Sequence, residues 1–557
     1  MISLLLIAIL VPTLAGLSLL LFPSASGKFF RRVESFLSRF ANSRLAPLTI
    51  VISALVFSCL WASFLLLPEP RVSDEFSSLL NADTFCEGRL SNPPHPMWKH
   101  FESFHIIQHP TYNSKYPPGK GLFLALGQLA GHPILGVWLS MALAGAALFW
   151  MLNALFPKAW SLVGTALALF NPQVMEWNWN YWGGTVSLLG GAIFLGGFWR
   201  NLNKPAEIFP SAMMGLGAGV LALNRPFEGF VLCCIAGVAL LIQWRKSWNG
   251  GVILKRFVIP LTAAATPFLA FNAYYNFRVT GHPLTMPYAV YEKQYSNKPL
   301  FIWGSDRTNV LTYHNEEIRF FYYREDIYAD FARTKKGFVE NVSGKLQRYD
   351  EFFWHKLAFI CLIPLFAAFQ RESRCRLALG LFLLPFAISV GLAIYTFPHY
   401  TAPIFPLLLI LLIFGLREMH LWKFKGRRWG RLAARVLIIY LCVFSLASFA
   451  DRQSLYQKTA WEYRRAAVLS HLEADGKKHL VIVKYGPGHV PDSEWVYNRA
   501  DIDNSRVVWA RDLGEAEKRK LLNYFNDREV LILEPDNPNH PFFQMLRTVM
   551  PEVSQLR

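Results

Sequence analysis

The chain has 557 residues, 53% of them hydrophobic and 17% charged, and its 56 Lys and Arg against 38 Asp and Glu give a formal net charge of +18. That balance excludes a disordered or highly charged soluble polypeptide, whose apolar content is much lower. Most of the basic excess flanks apolar stretches, which predicts anionic membrane lipid as its partner and argues against nucleic acid.

A spanning helix needs roughly 20 mostly apolar residues. Such stretches recur at 1–22, 47–67, 133–156, 160–175, 181–199, 209–223, 227–244, 257–275, 356–369, 377–397, 401–416 and 433–450. They predict an all-α polytopic membrane protein of about twelve spans. The first lacks a basic start and outlasts a signal-peptide core, so it is read as a retained helix. Basic clusters at 28–44, 200–204, 245–256, 371–376 and 417–435 then fall on one side, the cytoplasm by the positive-inside rule. The other side receives two large outer loops, 68–120 and 276–355, and everything after 451. The expected organisation is a membrane body over 1–450 and a small α/β extracytoplasmic domain over 451–557. The seven cysteines show neither a disulfide framework nor metal-ligand spacing.

In the first outer loop, Ser73 is a suitable N-cap and Phe76, Leu79 and Leu80 have helical spacing, so a short helix is predicted over 74–85 that begins with Asp74 and Glu75. Adjacent helical residues point about 100° apart. One carboxylate therefore faces a substrate while the other holds a metal, a basic group or a backbone donor; simple helix-start electrostatics is the plainer account. His95, His100, His105 and His109 follow, without CxxC or HExxH support for zinc. They suit contact with a substrate or a hard cation, and Mg²⁺ or Mn²⁺ would take Asp74 or Glu75 first because it prefers oxygen ligands. Pro117 and Pro118 stop any helix from running through, which places Lys115, Tyr116 and Lys120 at the membrane edge, at the depth of a lipid phosphate. Interfacial anchoring explains the same residues.

Further along, Glu176, Trp177, Trp179, Tyr181 and Trp182 form an aromatic crowd, readable as an interface belt or as a carbohydrate stacking platform. Arg225 and Glu228 lie between two apolar stretches, where ionisable groups are costly. They suit either phosphate binding by Arg225 or a pair that lowers the cost of burial. His399 and Tyr400 stand at another outer boundary. The 276–355 loop is too long for a bare connector, and its aromatic, turn-rich start suits a surface lid. In the tail, a helix is predicted over 455–474, strands over 479–484, 506–510 and 529–533, and a helix over 513–525. Gly486-Pro487-Gly488 reads as a tight turn rather than a phosphate cradle, since Pro removes a donor. The tail's expected role is docking to the outer face of the body or covering it.

The acidic pair in the first large outer loop after an early span, the Tyr116-Pro117-Pro118 approach to the next helix and the many-spanning topology resemble the GT-C superfamily of integral-membrane glycosyltransferases. Family 39, with its protein O-mannosyltransferases and lipid A aminoarabinose transferases, is the nearest in kind. The resemblance is specific over the first half of the chain; the extra early helix and the tail depart from it. It implies transfer of a sugar from a polyprenyl-phosphate donor at the outer leaflet to a protein, lipid or glycan acceptor, usually with inversion. On that model Asp74 is the general base and Glu75 orients the loop or helps bind a divalent cation, Mg²⁺ or Mn²⁺. Lys115, Tyr116, Arg225 and His399 hold the donor phosphate, and His95, Glu176, Trp182, Glu228 and Tyr400 contact substrate. The implied location is a bacterial inner membrane with the site and the tail on the periplasmic side. The rival class is a transporter or flippase of a lipid-linked substrate, which usually binds near the midplane between related halves.

Overall fold

The computed structural model describes residues 2–21, 23–203, 206–245, 248–349, 356–456, 461–537 and 539–540. Among them, six helices are long and apolar enough to cross a membrane: Ile134–Leu152, Pro226–Trp244, Gly250–Thr280, Ser373–Leu392, Pro398–Leu421 and Trp429–Asp451. A seventh arises if Gly27–Asn42 and Ala46–Ala62, bent by 112°, make one broken span. The predicted twelve are therefore not all present as full-length spans. Lys158–Leu169 has 12 residues and Leu362–Arg371 has 10, so neither reaches even about 20 Å at about 1.5 Å per residue, against a hydrocarbon core of about 30 Å. The predicted 160–175 stretch is broken because one helix ends at Leu169 with Phe170 as its cap and Asn171 caps the next, its Oδ1 accepting from the backbone N–H of Gln173 (3.0 Å) and Val174 (3.2 Å) across Pro172.

Glycines let the central helices approach closely. A Cβ on Gly191 would sit 2.2 Å from the Pro403 carbonyl oxygen, and one on Gly217 would sit 2.4 Å from the Phe194 nitrogen. Neither position has room for a side chain, which is how small residues bring helices together in lipid.

On one face of this bundle lie the elements that carry the site. The predicted acidic helix is present over Ser73–Cys86. A two-stranded antiparallel ribbon follows, β1 (Ile106–Ile107) and β2 (Asn113–Ser114), with Ile106 opposite Ser114. The second outer loop supplies the helices Pro287–Tyr295, Glu316–Ala332 and Lys335–Arg348.

The tail forms a three-stranded parallel sheet of β3 (His479–Val483), β4 (Val507–Arg511) and β5 (Glu529–Leu533) in the order β4-β3-β5, with helices Trp461–Ala474 and Glu515–Tyr524. Side chains alternate across a strand, and both faces of β3 and β4 are covered. Leu480, Ile482, Val508 and Ala510 pack on Phe76, Leu80, Phe101, Ile106 and Tyr112 of the first outer loop. Val481, Val483, Val507 and Trp509 pack on Val468, Leu472 and Trp495. Gly486-Pro487-Gly488 is a turn, with the His489 N–H donating to the Gly486 carbonyl at 3.1 Å.

The segment from Trp495 to Ala500 runs along the loop that bears Asp74. The Tyr497 ring stacks on Phe76 at 4.0 Å and 5°, the Ala500 N–H donates to Asp83 Oδ2 at 2.7 Å, and the Tyr112 hydroxyl donates to the Asn498 carbonyl at 3.0 Å. Tail and first outer loop thus share one side of the bundle.

Candidate active site

The Ser73–Cys86 helix separates the acidic pair as its geometry requires. Glu75 turns inward and is 1% exposed. Its Oε2 accepts from the backbone N–H of Arg71 (2.8 Å) and Val72 (3.3 Å), and its Oε1 from that of Tyr181 (2.8 Å). It satisfies donors at the helix start and joins that start to the chain before Trp182. Asp74 faces the other way, into a cavity of about 610 Å³.

The ribbon register brings two more groups to Asp74. Because Ile106 pairs with Ser114, His105 falls opposite Lys115, and the Lys115 N–H donates to the His105 carbonyl at 3.2 Å. His105 has a left-handed backbone, φ 63°, a costly conformation for a residue other than glycine. The Ser77 hydroxyl donates to its carbonyl at 2.7 Å, and its N–H donates to the Tyr291 hydroxyl at 2.7 Å, which holds it there. The His105 Nδ1 lies 2.7 Å from Asp74 Oδ1, and the Tyr116 hydroxyl donates to the same oxygen. Both bonds fall on Oδ1, and among the described residues none is made to Oδ2, the oxygen a ligand would meet.

Burial pushes the Asp74 carboxyl up, but His105, Lys120 and Tyr116 together outweigh it and hold Asp74 well below the usual carboxylate range. Burial, and then Lys115, pushes His105 down against the pull of Asp74. The pair is therefore a carboxylate bonded to a neutral imidazole whose Nδ1 carries the proton. Burial, with Asp74 opposing and Arg225 assisting, brings Lys120 down to about 7. Burial and the neighbouring Asp74 raise Tyr116 well above its ordinary value, so it stays a donor.

Around the cavity, Lys115 is 3% exposed. Its Nζ is 3.3 Å from Glu292 and lies 4.6 and 4.7 Å from the ring centroids of Tyr288 and Tyr291. Trp182, Tyr288, Glu292, Tyr395, Phe397 and Tyr400 also line the space. Behind the lining, Arg225 lies 3.9 Å over the Tyr400 ring, Lys120 Nζ donates to the Trp182 carbonyl at 3.3 Å, and His399 stacks on Trp182 at 4.8 Å. Among the described residues, the buried His399 Nε2 and Trp182 Nε1 find no hydrogen-bond partner, a costly state that a ligand group would relieve.

The structure thus gathers Asp74, Lys115, Tyr116, Trp182, Arg225, His399 and Tyr400, and leaves four predicted residues elsewhere. Glu75 is enclosed by backbone donors. His95 Nε2 faces Asp503 of the tail at 3.1 Å, and its ring packs on Phe101 and Phe525. Glu176 is paired with Arg71 at 2.6 Å and accepts from Gln453 at 3.2 Å. Glu228 starts the Pro226–Trp244 helix outside the lining, beside Arg225, which lies over Tyr400.

An Asp74–Glu75 cation site does not fit this donor set, because both Glu75 oxygens are taken by backbone donors and Asp74 Oδ1 is already held by His105 and Tyr116. Among the described residues, the grouping whose ligand atoms lie within 4.8 Å of one another is Asp475, His479 and Glu529 in the tail, where Lys477 already holds Glu529 at 2.6 Å. Glu75→Gln should cost about 1.5–3 kcal/mol of stability, the worth of a charge-assisted bond, and excess Mg²⁺ or Mn²⁺ should restore nothing. Thermal unfolding in detergent with and without the ions checks this, and recovery by the ions would reinstate a metal role.

His105 was one of four histidines between positions 95 and 109, Tyr288 was one aromatic in the turn-rich start of the second outer loop, and Glu292 and Tyr395 carried no local signal. The ribbon register and the folding back of the second outer loop place them.

No protein-family model matches the chain, and no curated protein does. Among solved structures, ArnT from Cupriavidus metallidurans in the apo state superimposes with a TM-score of 0.50 at 12% identity, over 91% of this chain and 94% of that one. The chain shares its fold with ArnT. The structure of ArnT bound to undecaprenyl phosphate gives a TM-score of 0.47 at 13% identity over 88% and 90% of the two chains. The Archaeoglobus fulgidus oligosaccharyltransferase in the apo form gives 0.43 at 12% over 79% and 62%. The likeness of fold therefore covers most of the chain, beyond the first half on which the sequence resemblance rested.

Proposed function

We propose that this protein is a membrane glycosyltransferase that moves a sugar from a polyprenyl-phosphate donor to an acceptor hydroxyl. The observation that carries this reading is Asp74, ionised and facing a cavity lined by aromatic rings and Lys115, with Lys120 and Arg225 just behind the lining. The ArnT-like fold supports it, and ArnT has a structure with undecaprenyl phosphate bound.

The acceptor hydroxyl approaches Asp74 Oδ2. Its oxygen bonds to the anomeric carbon, the bond from that carbon to the phosphate oxygen breaks, and the proton passes to Asp74. The electron pair leaves on the polyprenyl phosphate, and a single displacement inverts the anomeric centre. A carboxylate held this low is a weak base, so it takes the proton late, once the attacking oxygen has become acidic through bonding to carbon. Fixed cations beside the cavity stabilise the phosphate charge that develops. No step uses a metal. The location proposed with this reading is a bacterial inner membrane, with the cavity and the tail on the periplasmic side, where a lipid-linked donor replaces a nucleotide sugar.

Purified protein incubated with labelled undecaprenyl-phosphate sugars should transfer the sugar or hydrolyse the donor. Movement of intact donor across reconstituted vesicles with no bond cleavage would favour the transporter class. Arg225→Gln should weaken undecaprenyl phosphate binding by roughly 10–150-fold, the equivalent of a charge-assisted contact of about 1.5–3 kcal/mol, while the protein stays monodisperse. Lost folding with unchanged affinity in the surviving fraction would make Arg225 structural.

A further inference from the structure

A second concave surface lies beside the Trp429–Asp451 span and owes nothing to the candidate active site. It is a groove of about 1170 Å³ between the Ile2–Leu21 helix and the Trp429–Tyr456 helix, with Gly16, Leu17, Trp422, Phe424, Leu437 and Tyr440 among its walls. Tyr440 lies about 16 Å beyond Trp429 by the rise of an α-helix, so the groove runs from the edge of the span well into it.

A built hairpin stands at the edge end. Phe424 and Arg427 exchange two backbone hydrogen bonds of 3.0 Å across Lys425 (φ 48°) and Gly426 (φ 75°), the two left-handed residues of a tight hairpin turn. Lys423, Lys425, Arg427 and Arg428 on this hairpin are all exposed. The neighbouring ion pairs, Arg371–Glu418 and Arg435–Glu34, leave these four out. Trp422 and Phe424, both more than half exposed, flank the hairpin and line the groove.

We propose that this groove is a binding site for one anionic diacyl phospholipid, its phosphate head on the Lys423–Arg428 hairpin and an acyl chain along the apolar wall. Among the described residues these four cations make no ion pair, and their cluster on a tight hairpin at a membrane edge, continuous with an apolar channel running inward, repeats the layout of such a lipid. Attraction of basic groups to anionic headgroups is substantial and screened by salt, and the buried acyl chain adds apolar contact. The proposal does not depend on the glycosyltransferase reading.

Native mass spectrometry of the full chain in detergent, with phosphatidylglycerol and phosphatidylcholine as probes, tests it. Phosphatidylglycerol should bind at one saturable site, roughly tenfold or more tighter than phosphatidylcholine. Replacing Lys423, Lys425, Arg427 and Arg428 together by Gln should remove that preference. A Cβ on Gly16 would meet only Val436 Cγ2, at 3.6 Å, so Gly16→Phe can fill the groove and should weaken phosphatidylglycerol with every cation in place. Equal binding of the two lipids, or an unchanged preference in the Gln variant, overturns the proposal. Full binding by Gly16→Phe overturns it too, because the cations would then be only a diffuse charged surface.

Discussion

Asp74→Asn should lower turnover by about 10²–10⁴-fold, the usual contribution of a positioned general base, and leave undecaprenyl phosphate affinity nearly unchanged. Asn keeps the shape of the carboxylate and can still accept from His105 or Tyr116, but it cannot take the acceptor proton. The loss should also be flat with pH across the neutral range. His105, Lys120 and Tyr116 hold the wild-type carboxyl well below its ordinary value, so it is ionised throughout that range and its protonation limits the rate only in acid. If Asp74 merely favoured the helix start, Asn would cost no more than about 1 kcal/mol of stability and turnover would survive. Full activity in Asp74→Asn sinks the assignment and leaves the transporter class in its place.

Lys115→Met should destabilise the protein by about 3–5 kcal/mol, because it leaves the Glu292 carboxylate in the cavity wall without its ion-pair partner. Lys115 faces Glu292 at 3.3 Å and lies over the rings of Tyr116, Tyr288 and Tyr291. This arrangement fixes the Pro287–Tyr295 helix to the first outer loop. The double variant Lys115→Met, Glu292→Leu should recover most of the loss, since a buried ion pair is often worth little more than the apolar groups that replace it. Thermal unfolding in detergent reads both. A Lys115 used only for the donor would instead cost ligand affinity with no change in unfolding, and the double variant would recover nothing.

The sequence made the Asp74 helix legible because its signals are local, acids in the first turn and apolar spacing within a few residues, although the N-cap is Val72 and the expected cap Ser73 is the first helical residue. The tail elements were legible for the same reason, and the structure returns each strand to within about a residue, inside the ordinary boundary error. His105 was not. Its partnership with Asp74 depends on the β1–β2 register and on Ser77 gripping its carbonyl, and a run of four spaced histidines cannot show which one a ribbon will carry inward. His95 and Glu176 were misread for the converse reason. Their partners, Asp503 and Arg71, lie far away in sequence, and an isolated titratable side chain looks the same whether it meets a substrate or a counter-charge. The span count exceeded the full-length helices because hydropathy sums across breaks such as Asn171-Pro172, where capping ends one helix and starts another.

The segment from Trp495 to Ala500 also sets an order of events during biogenesis. The Ser103 hydroxyl donates to the Val496 carbonyl, and the two residues are 393 positions apart. At about 5–20 residues per second of synthesis, the first outer loop waits roughly 20–80 s for its partner. Throughout that interval Phe76, Leu80, Phe101, Ile106 and Tyr112 lack the sheet that later covers them, so a newly made bundle spends its first minute with an apolar patch open beside an unfinished cavity. Arrival of β3 and β4 is therefore the event that closes the patch, and a chain that stops short of β3 keeps it open.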